Sequence, residues 1–396
     1  MNERPTLDKG SLSKETLLLL ALLTSENINE TAHQNPQLFT GLDWDVFLRL
    51  TLHHRVYPYL YPKLSRMDGD VIPASVLERI KMEYRRNTVQ MLQLSGEMSN
   101  LGTQLAELNI RCLFLKGPVL AQALYGDISL RTSRDLDFLV PMAQLQDTEA
   151  LLIRLGYVKE ETFESILGDW KWREHHTTFN HPVSKIKAEV HWRLSPGPSK
   201  EPDFDTLWKH ARTSSPFGRN VHYLGQEDLF LFLAAHGARH GWSRLRWLLD
   251  IKMLLLQQPD SAVLTRLLRR YNYSAVGGQA LILAAGLLDA EIEPGLSALT
   301  DQPKARRLAQ RALFYVARMV NLHNPPLEPE VERHYKYYQP AILSPWHQVL
   351  YVTGFMYPYA ADAKTLPLPE ALHFLYFPLR PFLWSWRKVT GAEKRI

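Results

Sequence analysis

Along the chain the apolar positions change their period twice, and each change marks a boundary. From Ser13 to Ile110 they recur every three or four residues. Trp44, Phe47, Leu48 and Leu52 share one helical face, and Leu77, Ile80, Met91, Leu92, Leu101, Leu105 and Leu108 line another within Ser75 to Leu108. Short apolar runs then follow, punctuated by turn residues: "RCLFLKG" ending at Gly117, "LDFLV" stopped by Pro141, and "AEVHW" before "SPGP". These are strand signals. Between them Val119 to Leu124 and Ala143 to Leu155 read as helices, the second closed by Gly156. The β-branched pair in "HHTTFNHP" predicts a strand that turns at Asn180 to Pro182 and returns as Lys187 to Trp192.

Past Gly197 the helical period returns. Glu227 to Leu256 predicts one helix or a kinked pair, followed by Ser261 to Arg270, Gly278 to Leu288 and Pro303 to Val320; Pro325 to Pro340 predicts a loop. Pro345 to Tyr357 reads as a helix ahead of a proline-punctuated aromatic tail. The expected fold class is α+β, a small mixed-sheet core at 111–198 between an N-terminal helical region, 1–110, and a C-terminal one, 199–396.

Composition changes this picture little. With 396 residues, 45% hydrophobic and 22% charged, the chain has the makeup of a folded protein of two or three units. A net charge of +5 suits phosphate-bearing ligands, yet no compact basic stripe marks a nucleic-acid surface, and "KARRLAQRALFYVAR" reads as a solvated helical face. Cys112 stands alone, which excludes an intrachain disulfide and argues against a cysteine-based zinc site. Asn2, Glu3 and Arg4 open the chain, and its first apolar run, Leu17 to Leu23, is far short of the ~20 residues that span a bilayer. The expectation is a cytoplasmic protein with no integral membrane segment. Prolines and charges interrupt the aromatic stretch Leu366 to Trp386, so a peripheral membrane contact is the most that it suggests.

Two acids stand out. On a strand, residues two apart share a face, so Asp135 and Asp137 stand side by side while Leu136 turns into the core. Like charges so close raise each other's pKa unless a cation intervenes, and Mg²⁺ (or Mn²⁺) takes carboxylate oxygens together with substrate phosphates. Glu189, on a strand able to lie alongside, completes a set of three suited to phosphoryl-type transfer. Gly117, between a strand end and a helix start, allows backbone N–H groups close to a phosphate, with Lys116, Arg131 and Arg134 supplying charge.

"LFLKG", "LRTSRDLDFLV" and "AEVHWRL" resemble the motifs of the nucleotidyltransferase superfamily that includes DNA polymerase β. More narrowly, the chain resembles a poorly characterised bacterial nucleotidyltransferase family with an "LKG" turn and an "HW" pair. "LTLHHRVYPYLYPKL", "HGARHGWSRLRWLLDI" and "LPLPEALHFLYFPLRP" look like that family's flanking helices. The resemblance implies a transferase that moves an NMP from an NTP to an acceptor. Gly117 then matches the phosphate-side turn, Asp135 and Asp137 the paired metal ligands, and Glu189 the third carboxylate. Lys116-Gly117 stands where better-known members carry Gly-Ser or Gly-Gly, and Glu189 stands where Asp is usual.

His191 shares the face of Glu189 and serves either as a ligand-orienting or basic group or as a packed side chain. His236 and His240 have metal-ligand spacing but lack the Glu of H-E-x-x-H. With Trp242, Arg244, Arg246 and Asp250 they form either a structural helix face or one wall of the cleft. Tyr125 and Asp127 are candidates for base or ribose contact. The acceptor is open, a small molecule or peptide being favoured over tRNA or protein, and nothing sets the oligomeric state. The rival reading keeps the fold as a nucleotide-binding or interaction module with weak turnover or none.

Overall fold

One mixed sheet of seven strands has the two-aspartate strand at its centre. The computed structural model describes residues 7–69, 71–160, 165–215, 220–322 and 326–390, so Asn2, Glu3, Arg4, Pro325 and the last six residues lie outside it. The strands are β1 (Leu113–Phe114), β2 (Asp135–Leu139), β3 (Val158–Lys159), β4 (His176–Asn180), β5 (Lys187–His191), β6 (Arg212–Ser214) and β7 (Val221–Tyr223). Their order is β3-β4-β5-β2-β1-β7-β6. β2 runs parallel to β5 and antiparallel to β1, β1 runs parallel to β7, and the other neighbours are antiparallel.

This is the expected α+β architecture, a mixed sheet with helical regions on both sides of it in sequence. Two local expectations change, and one open alternative is decided. β6 and β7 lie past Gly197, where a helical stretch was expected; three residues each are too few for alternation to show. The expected loop up to Pro340 is largely the helix Pro329–Ile342, with prolines only in its first and last turns and Val331 and Tyr338 buried. The Glu227 to Leu256 stretch is the kinked pair Gln226–Arg239 and Leu245–Leu255, broken where Gly241 and Trp242 take positive φ.

Two apolar cores flank the sheet. Leu136, Phe138, Ala188, Val190 and Phe179 face one of them, packed with Met91, Leu94, Met98, Leu101 and Leu105 of the 34-residue helix Ala74–Glu107. The first turns of that helix place Val76 and Ile80 in the other, larger core, which includes Leu120, Phe230 and Leu248. Between the two, Asn87 donates to the carbonyls of Ser129 (3.0 Å) and Arg131 (3.2 Å), fixing the chain that leads into β2.

The tail folds around the buried Asp362, which binds Arg380 at 2.6 Å and Arg387 at 2.7 Å. Trp346, Phe355, Phe382, Trp384 and Trp386 remain exposed. No helix among the described residues is long and apolar enough to cross a membrane.

Candidate active site

Strand register assembles the acids. β2 and β5 pair in parallel as Asp135 with Lys187, Asp137 with Glu189 and Leu139 with His191, so these side chains share the face opposite the Leu136 and Phe138 core. β4 adds His176 opposite His191. The three carboxylates foreseen in the sequence thus share one face, and among the described residues Asp137 and Glu189 join a three-ligand group while Asp135 does not.

Their environment separates their charges. Asp137 is 1% exposed; its Oδ1 accepts from His191 Nε2 at 3.3 Å and from Lys116 Nζ at 3.4 Å, while its Oδ2 is buried without a partner. Glu189 Oε1 accepts from Lys187 Nζ at 2.8 Å, and its Oε2 lies 3.7 Å from His191 Nε2 and 3.9 Å from His176 Nε2. Burial, then the charges of Asp137 and Glu189, push the Asp135 carboxyl up to about 6. Burial also raises Asp137, but Lys116 and the His191 hydrogen bond outweigh it and hold this carboxyl below its usual value. Glu189 is likewise held low: burial raises it, and the hydrogen bond and charge of His191, then His176 and Lys187, more than offset this. Burial lowers His191, whereas its bonds to Asp137 and Glu189 bring it above the ordinary imidazole value.

One donor atom from each of Asp137, Glu189 and His191 lies within 4.8 Å of the others. With the orphaned Asp137 Oδ2, this set fits a divalent ion.

Gly117 has φ 84° and ψ −148°, a conformation that favours glycine, and it caps the helix Pro118–Tyr125. Its ideal Cβ would lie 3.7 Å from the Asp135 carbonyl, so the turn sits directly against the start of β2. Arg131 is placed differently from the free phosphate ligand foreseen. It is 2% exposed and holds Asp250 with two bonds, Nε at 2.9 Å and Nη2 at 3.0 Å. Asp250 also accepts from Tyr125 Oη at 2.7 Å, which engages Tyr125 inside the fold, and Asp127, at an exposed position, caps Ser129 N at 2.7 Å through Oδ1.

Arg134 is exposed and belongs to a cluster with Arg55, Arg244 and Arg246. Burial first, and then the neighbouring arginines, push Arg55 and Arg244 down to about 10 and Arg246 to about 9. Whereas Asp250 neutralises Arg131, no carboxylate among the described residues pairs with any of these four. Asp135 acts electrostatically on both Arg55 and Arg246, which places the cluster beside the acids. Arg55 escaped the sequence reading; its one signal is position, a non-glycine residue at φ 55° after "HH". His54 accepts from Leu245 N at 3.3 Å, and His53 Nδ1 accepts from Arg244 at 2.9 Å, so "HHR" anchors the helix that carries Arg244 and Arg246.

His236 and His240 lie tilted against each other, His236 meets Trp247 edge-on and His240 meets it tilted, with ring centroids 4.6, 5.4 and 5.5 Å apart. They belong to no three-ligand group among the described residues. Lys116 acts on His236 and lies over the Phe232 ring at 5.3 Å, so this helix face borders the site.

A model of the uncharacterised nucleotidyltransferase family matches residues 40–289, from ahead of the "HHR" segment through the sheet and past Asp250. The chain belongs to this family. The nucleotidyltransferase match covers every site residue named above. Comparison with curated proteins returns no match. Among solved structures, the antibiotic-resistance factor ANT(2'')-Ia is 13% identical with a TM-score of 0.35, covering 48% of this chain and 96% of that one. An antigenic nucleotidyltransferase-like protein from Paracoccidioides brasiliensis is 16% identical with a TM-score of 0.32, covering 53% and 97%.

Proposed function

We propose that the chain is a metal-dependent nucleotidyltransferase that moves an NMP from an NTP to an acceptor and releases pyrophosphate. The observation that carries this reading is three carboxylates on one sheet face beside arginines with which no carboxylate among the described residues forms an ion pair. Asp135, Asp137 and Glu189 would hold Mg²⁺ or Mn²⁺. A divalent ion held there would supply positive charge to the phosphoryl oxygens. Lys116, the Gly117 turn and Arg134, joined by Arg55, Arg244 and Arg246, position the triphosphate. Arg131 holds the entry to β2 through Asp250, and Glu189 would hold a second ion or assist deprotonation of the acceptor. We favour a small molecule or peptide acceptor over tRNA or protein, since the sequence carries no long basic run of the kind that tracks a nucleic-acid backbone.

The test is label transfer. The protein, given each α-labelled NTP with Mg²⁺ or Mn²⁺ and a fractionated extract, should pass label to an acceptor and release pyrophosphate, and Asp137→Asn should abolish both. No transfer from any NTP, or transfer that survives Asp137→Asn, overturns the reading. The second reading, a nucleotide-binding module without turnover, is favoured by the engagement of Glu189 with Lys187 at 2.8 Å. Calorimetry showing metal-dependent nucleotide binding with no pyrophosphate release would select it.

A further inference from the structure

Three imidazoles meet at one end of the acidic face. His176 opens β4 and pairs in register with His191, which closes β5, and His175 precedes β4 by one residue. Ring centroids are 4.3 Å apart for His175 and His176, 4.9 Å for His176 and His191, and 5.4 Å for His175 and His191. One nitrogen from each ring lies within 4.8 Å of one from each of the others, and His176 Nδ1 is 3.2 Å from His175 Nε2.

Packing alone accounts poorly for this arrangement. His175 Nδ1 and His191 Nδ1 are both buried without a hydrogen-bond partner, and His191 is 3% exposed. A buried polar nitrogen without a partner is destabilising, so two in adjacent rings are a poor way to fill a core. Leucine or phenylalanine would fill the same space without that cost.

We propose that His175, His176 and His191 form a binding position for a borderline-soft divalent transition ion of the Zn²⁺ class, which overlaps the Asp137, Glu189 and His191 group at His191. Imidazole nitrogen suits Zn²⁺ and its neighbours, whereas Mg²⁺ takes oxygen. Zn–N bonds of about 2.0–2.1 Å put tetrahedral ligand nitrogens roughly 3.4 Å apart, which small ring rotations reach from the observed spacing. Glu189 Oε2 lies 3.9 Å from His176 Nε2 and 3.7 Å from His191 Nε2, at the edge of this group. The ion would tie the start of β4 to the end of β5.

Co²⁺ reports such a site by its visible ligand-field absorption, whether or not the protein transfers nucleotides. Chelator-stripped full-length protein titrated with Co²⁺ should develop visible bands that saturate at one ion per chain. One equivalent of Zn²⁺ should bleach them, and excess Mg²⁺ should not. His175→Ala and His176→Ala should each weaken Co²⁺ binding by at least the ~10–100-fold typical of losing an outer metal partner, while Asp135→Asn keeps the bands. Absence of the bands in the unaltered protein overturns the proposal without reference to any variant. Their survival in the His175→Ala/His176→Ala protein overturns it as well.

Discussion

Replacing Asp250 with alanine removes the carboxylate that accepts twice from Arg131 and once from Tyr125, with Arg131 1% and Asp250 0% exposed at the side chain. Asp250 sits on the helix Leu245–Leu255, and Arg131 on the segment leading into β2, so the pair ties the helical region to the acid-bearing strand. Deleting one partner of a buried pair strands the other charge and costs about 3–5 kcal/mol. The Tyr125 hydroxyl loses its acceptor too, adding roughly 1 kcal/mol or more. Against a typical total of ~5–15 kcal/mol, Asp250→Ala should lose a third or more of the folding free energy. Urea unfolding followed by circular dichroism measures it, as a drop in midpoint at unchanged slope. Arg131→Met in the same chain removes the stranded charge and should recover about 2 kcal/mol or more of the loss. A cost below about 1 kcal/mol for Asp250→Ala, or no recovery in the double variant, would refute the view that this pair holds β2 in place.

Gly117→Ala should cost about 1–3 kcal/mol from backbone strain at φ 84° rather than from a clash, its Cβ meeting the Asp135 carbonyl at an ordinary 3.7 Å; thermal melting reads it. Arg134→Ala, at an exposed position, should leave stability within ~0.5 kcal/mol yet weaken NTP binding about tenfold, an effect that shrinks as salt rises in a titration. Burial pushes His53 down to about 4 and His54 and His236 well below their ordinary value, so the folded chain refuses protons that the unfolded chain accepts. Stability that is full above pH ~6.5 should fall on acidification toward pH ~4, by up to about 1.4 kcal/mol per pH unit for each of these histidines. A flat profile of urea midpoints over that range contradicts it.

The acid face was legible because strand alternation is local. "RDLDFLV" and "KAEVH" each announce which side chains share a side, and a parallel pairing in register suffices to bring Asp137 beside Glu189. The arginine cluster was not, because Arg55 and Arg246 lie 191 residues apart and meet only when "HHR" docks against the second helix of the kinked pair. Arg131 shows the converse: its charge was visible and its partner was not, since Asp250 arrives from a helix with no local tie to β2. Short strands such as β6 and β7, stabilised by neighbours rather than by their own pattern, are invisible for the same reason.

The helix Ala74–Glu107, at about 1.5 Å per residue, is a rod of roughly 50 Å whose two ends are seated in different cores. A rod clamped at both ends cannot fray at one without loosening its grip at the other, so the helical region and the sheet should melt as one cooperative unit. Calorimetry would then record a single transition, and a cavity cut at Ile80 would lower the temperature at which the distant carboxylates come apart. Strand geometry places the acids, but their persistence is underwritten by leucines and isoleucines that never approach them.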